Sequence, residues 1–124
     1  MNHQYRIDFQ LKKVAGKVRT LREMIKNTKT ENKAELLAVT RGRLTEVLAR
    51  NYDPEDRQSL SDWLKQVCEQ VKNAASDLEF VIKIANRSLP VTTNVYGYAG
   101  NLAAELGNII RKIEKSVIER RCDV

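Results

Sequence analysis

The chain has 124 residues, 42% of them hydrophobic and 31% charged, with only five glycines and two prolines. This composition excludes a disordered chain and a turn-rich β fold, and leaves one all-α domain, residues 1–124, whose core needs no metal or disulfide. The formal net charge is +6, and its location is more informative than its size: Tyr5 to Lys29 holds eight basic residues against two acidic ones, while Thr30 to Val124 holds fourteen of each.

Ile7, Leu11, Val14, Val18, Leu21 and Ile25 recur at spacings of four and three, which predicts a first helix with a heptad-like apolar seam ending near Asn27. Two overlapping capping boxes, Thr28 with Glu31 and Asn32 with Glu35, predict the start of a second helix. The connection is short, so these helices are expected to be antiparallel neighbours.

The second helix carries Leu37, Leu44, Val47 and Leu48 and runs to about Arg50, where Asn51-Tyr52-Asp53-Pro54 stops it. A third helix begins at Pro54 or, after a break, at Ser59 or Ser61. Its seam is Leu60, Leu64, Val67, Val71, Ala74, Leu78, Val81 and Ala85. Unbroken from 54 to 87 it would measure about 50 Å, which predicts a kink or a protruding end. After the loop Ser88-Leu-Pro-Val-Thr-Thr, Asn94 is expected to cap a fourth helix carrying Ala99, Leu102, Leu106, Ile109, Ile113 and Val117. The expected architecture is an antiparallel four-helix bundle with one long helix, the third.

Catalytic chemistry has few carriers. The single histidine, His3, stands near the N-terminus, and no Glu-x-x-His pair offers the metal set of a di-iron bundle. Asp53, Glu55 and Asp56 form the one acidic cluster; their place around Pro54 reads as a helix cap rather than a cation site. Cys68 and Cys122 have no metal-ligand spacing, and the two thiols fit a reducing cytoplasm. The expectation is a protein that is not an enzyme and has no cofactor or metal. No apolar run is long enough for a membrane span, and the N-terminus lacks a secretory pattern.

Gly97-Tyr98-Ala99-Gly100 matches the G-x-x-G that clamps nucleic-acid backbones in KH domains. No strands are predicted around it, and Gly100, Ala104 and Gly107 continue at helical spacing, so close helix packing is the preferred reading. Tyr96 and Tyr98 are candidates for base stacking against the alternative of half-buried packing, and Trp63 is expected to seal the bundle beside Leu64 and Val67.

The first helix is the remaining candidate. With its seam turned inward, Lys12, Lys13, Arg19, Arg22 and Lys26 fall on the opposite side with Lys17 at their flank, a row suited to phosphate contact through counterion release. Arg111, Lys112 and Lys115 extend it if helices one and four are adjacent. The alternative is a solvated face offset by Glu31, Glu35, Glu46 or Glu69.

The chain resembles in kind the small helical subunits of CRISPR effector complexes. Through Asp77-Leu-Glu-Phe-Val-Ile-Lys-Ile-Ala and Leu102-Ala-Ala-Glu-Leu-Gly-Asn-Ile-Ile it is also similar to the basic four-helix accessory proteins of diversity-generating retroelements. The first resemblance rests on a short, basic, all-helical chain without an active site, the second mainly on helix periodicity over about a third of the chain, and both imply a nucleoprotein role. The sequence reading is thus a non-catalytic helical subunit that binds the RNA or DNA backbone within a larger complex. The alternative is a protein–protein adaptor, assembly factor or inhibitor with an acidic or helical partner, with a homo-oligomer supported by the regular third seam.

Overall fold

The computed structural model describes residues 3–28, 33–85 and 87–122, with side chains from Phe9 to Ser116 within those ranges. It holds four helices: α1 (His3–Lys26), α2 (Ala34–Ala49), α3 (Arg57–Ile84) and α4 (Pro90–Cys122). Each packs on its chain neighbour, and α1 also packs on α4, so the helices stand at the corners of a square. Neighbours run antiparallel: Thr40 meets Asp77 while Val47 meets Trp63, and Cys68 meets Ala103 while Lys65 meets Glu114.

The apolar periodicity decides which faces turn inward. Leu11 to Ile25 of the α1 seam, Leu60 to Val81 of α3, and Ala99 to Ile113 of α4 are buried, and Leu21, Leu44, Leu64, Leu78 and Leu106 are sealed completely. Ile7 and Val117, the outermost expected seam positions, have side chains outside the described set. Leu48 and Ala85 are only partly buried, whereas Thr40, Thr92, Val95 and Ile110 join the interior without having been expected there. Thr40 is tolerated because its hydroxyl donates to the Asp77 carboxylate at 2.6 Å. Trp63 is buried as expected, with its indole N–H on the Val47 carbonyl at 3.1 Å and Tyr52 stacked on its ring at 4.4 Å.

Helix ends depart from the sequence reading in identifiable ways. Thr28 does not cap α2. Its hydroxyl donates to the Met24 carbonyl, which closes α1 instead. Glu31 and Asn32 lie outside the described residues, and α2 opens after Lys33 with no side-chain cap. The third helix begins at Arg57, not at Pro54, Ser59 or Ser61, because the Asp56 carboxylate accepts from the amides of both Gln58 and Ser59. It runs as one 28-residue helix to Ile84, short of the full 54–87 length. The fourth helix starts at Pro90 rather than after Asn94, since proline suits a first helical turn that has no amide partner to lose. This early start makes α4, at 33 residues and about 50 Å, longer than the 28-residue α3.

Candidate nucleic-acid interface

The buried seam of α1 leaves its opposite side to water, and Lys12, Lys13, Arg19 and Lys26 are exposed there, with Lys17 and Arg22 half-buried at the margins. The two margins face different neighbours. On the α2 side, Arg22 donates to the Thr45 hydroxyl at 3.3 Å and lines, with Lys26, a cleft of about 350 Å³. The α2 wall of this cleft is Ala38, Arg41, Gly42 and Thr45. Alanine and glycine keep that wall low, so guanidinium and ammonium groups on both sides remain reachable by an anion. Arg41 is a cation of the site that the sequence reading missed. Its helix was known, but which face of α2 meets α1 was not.

On the α4 side, Lys17 donates to Glu105 at 2.6 Å, with both side chains about one-third exposed. This charge is therefore already balanced within the fold. Glu105, 88 residues away in sequence, is the offsetting carboxylate. Glu46, one of the expected ones, pairs with Arg50 on its own helix at 3.1 Å, and Glu31 lies outside the described residues. In the α1–α2 cleft Glu23 is the one acidic lining residue among those described.

The α4 cations divide. Helices α1 and α4 are adjacent, and Lys112, two turns on from Glu105, shares its face. Arg111 and Lys115, one turn apart, point outward round the helix from that face, and Arg111 donates to the side-chain oxygen of Asn108. The fold thus gathers Lys12, Arg19, Arg22 and Lys26 with Arg41 on the α2 side of α1, turns Lys13 to the α4 side, places Lys112 on the side of α4 toward α1, and leaves Arg111 and Lys115 apart from it.

Other candidates resolve differently. Asp53 accepts from the Glu55 amide and Asp56 caps α3, so the acidic cluster is engaged with backbone. No trio of His, Cys, Asp or Glu that could hold a metal occurs among the described residues, and the side chain of His3 lies outside them. Gly97 and Gly100 sit inside α4 with open space where a Cβ would be, and Gly107 meets only the end of Arg111 at 3.8 Å. The close-packing reading of these glycines is therefore corrected: among the described residues no neighbouring helix comes within 4 Å of the Cβ positions. Tyr96 and Tyr98 are partly buried against the core.

A second cleft, about 590 Å³ at the α2–α3 turn, is lined by Arg50, Asp56, Asp62, Trp63 and Gln66 among others. Its polar groups bind one another: Arg50 donates to Gln66, and Asp62 accepts from Gln58 at 3.0 Å. Shifted pKa values occur away from the basic surface. Glu114 raises Lys65 by hydrogen bonding and charge, Glu79 does the same to Lys83, and burial raises the Cys68 thiol against an opposing pull from Lys72. No helix of the described residues is long and apolar enough to cross a membrane.

Phe9 is an aromatic that the sequence reading passed over. It is 61% exposed, more than any other large apolar side chain among the described residues, and stands between Lys12 and Lys13, one turn on. The available signal was its phase: nine residues before Val18 is two and a half turns, so Phe9 lies directly opposite the seam.

No protein-family model, curated protein or solved structure matches the chain.

Proposed function

We propose that the protein is a non-catalytic nucleic-acid-binding subunit that engages the phosphate backbone through α1. The observation carrying this reading is that Lys12, Arg19 and Lys26 stand exposed along the α2 side of α1 and are joined across a low cleft by Arg41, with Glu23 the one carboxylate lining it among the described residues and Lys13 exposed on the α4 side. A face maintained only for solubility would mix both signs. A row of one sign raises local polyanion attraction and gains free energy from released counterions without reading bases. Burial of the seam beneath it makes α1 a fixed rod, so the cations are held in register rather than ordered on binding. Operation inside a larger nucleoprotein complex in the cytoplasm belongs to the same proposal.

The test is a titration into labelled single-stranded RNA and duplex DNA at two salt concentrations, comparing the wild type with K13E/R19E/R22E. The reading expects binding that weakens steeply with salt and is lost in the variant while helical circular dichroism persists. Equal binding by both proteins would overturn it.

An adaptor role is the second reading, favoured by Val39, Phe80 and Ile84, which stand 43–51% exposed on α2 and α3. A pull-down that retains a stoichiometric protein partner and is abolished by F80S/I84S would support this alternative.

A further inference from the structure

The outer face of α1 contains an uncharged strip as well as cations. Phe9, Gly16 and Thr20 fall at intervals of seven and four residues, hence on one side of the helix, and span about 16 Å along its axis. Its margins are basic along most of their length: Lys12, Arg19 and Lys26 lie toward α2 and Lys13 toward α4, where Lys17 is paired with Glu105, and the exposed Glu23, seven residues after Gly16, ends the strip. Gly16 has open space around its missing Cβ, and the Thr20 hydroxyl is turned back onto the Gly16 carbonyl at 3.0 Å. Neither residue therefore raises a side chain to screen the ring of Phe9.

An aromatic ring at such a place serves no core. Its seam-opposite phase removes it from the bundle, and its exposure leaves a hydrophobic ring in water. By contrast Phe80, on α3, though partly exposed, has the Lys33 ammonium over its ring at 5.4 Å, and Tyr52 is stacked on Trp63. Phe9 is flanked by Lys12 and Lys13 along one turn of helix, so a ligand lying on its ring meets positive charge at either edge.

We propose that Phe9 stacks a nucleobase, and that the ligand of this face is consequently single-stranded nucleic acid rather than duplex. This rests on the α1 reading given above and specifies its substrate. In a duplex the faces of the bases are covered by their neighbours and only edges and phosphates are offered. A single strand offers base faces and phosphates together, which matches an aromatic strip between basic margins. Phe9 supplies the ring, Lys12 and Lys13 hold the flanking phosphates, and Arg19 with Lys26 continues the backbone contact along the α2 margin. Because every base has a π-face, the selectivity is for strandedness and not for sequence.

The experiment compares wild type, F9A and F9W on a labelled single-stranded oligonucleotide, on the same strand annealed to its complement, and on inorganic polyphosphate as a polyanion without bases. Phe9 lies off the core, so both variants retain the helical signal. F9A is expected to lose about ten- to a hundredfold in single-strand affinity with little change on duplex or polyphosphate, and F9W to restore binding with quenched indole emission. Equal loss on all three ligands, or no loss on the single strand while K13E/R19E/R22E still abolishes it, would overturn the stacking role and leave the electrostatic reading standing. A change in oligomeric mass in F9A with single-strand affinity intact would overturn it in favour of a contact between protein copies. Absence of binding by wild type to any of the three ligands would instead remove the α1 reading itself.

Discussion

If α1 binds nucleic acid as proposed, charge reversal there should act through counterion release, and the free cations give the expected number of phosphates. Lys12, Lys13, Arg19 and Lys26 are exposed, and Arg22 at the margin donates to the Thr45 hydroxyl and meets no carboxylate among the described residues; Lys17 is committed to Glu105. Five phosphate contacts give a slope of log affinity against log salt of about −3.5 on a single strand, so raising salt from 50 to 200 mM weakens binding by about a hundredfold. Removing Lys13, Arg19 and Arg22 lowers the slope to about −1.4 and costs about a further hundredfold at 0.1 M, before the repulsion of three new carboxylates is added. None of the three side chains reaches the core, so thermal unfolding should shift by a few degrees at most. Fluorescence anisotropy over a salt series gives both slope and affinity. A variant that binds a hundredfold more weakly with an unchanged slope would refute the reasoning, because its loss would not come from phosphate neutralisation.

Three further outcomes follow from named contacts. Glu105→Gln should free the Lys17 ammonium for a sixth phosphate and strengthen single-strand binding about fivefold at 0.1 M; unchanged affinity in the same anisotropy assay would show that Lys17 contributes nothing to the face. In the core, Leu64→Ala should cost about 2–5 kcal/mol and Thr40→Val about 1–3 kcal/mol, the latter because Asp77 loses its hydroxyl donor. Denaturant midpoints at constant m-value measure both, and a loss below about 0.5 kcal/mol in either would contradict the assigned burial. Cys68 is sealed and its thiol is raised by burial, so in a Cys122→Ser background native protein should react with iodoacetamide only on unfolding. Its share of stability should be whole below the ordinary thiol value of about 8.5 and fall as pH rises from there through the folded value; rapid native alkylation at pH 8 would contradict both.

The bundle was legible because periodicity reports burial directly: residues at alternating intervals of three and four either meet a partner helix or face water, and the α3 seam met its partners from Leu60 to Val81. Helix ends were less legible, since several residues compete for each cap. Asp53, Asp56, Ser59 and Ser61 all carry an acceptor, and only the backbone path around Pro54, which spacing does not reveal, lets Asp56 be the one that reaches the Gln58 and Ser59 amides. Proline at 90 carried a legible start signal that the asparagine at 94 outweighed in the reading.

The basic surface was legible in its angular position and illegible in its surroundings. One helix period suffices to put Lys13 and Arg19 opposite Val14 and Val18, but no period links Lys17 to Glu105 or brings Arg41 beside Lys26. Those two relations alter the charge in opposite directions, one cation balanced from α4 and one added from α2, so the face keeps its strength while its centre moves toward the α1–α2 cleft. For the proposed single-strand ligand that displacement implies a path along the α2 margin of α1, past Lys12, Arg19 and Lys26, with Phe9 and Gly16 immediately beside it.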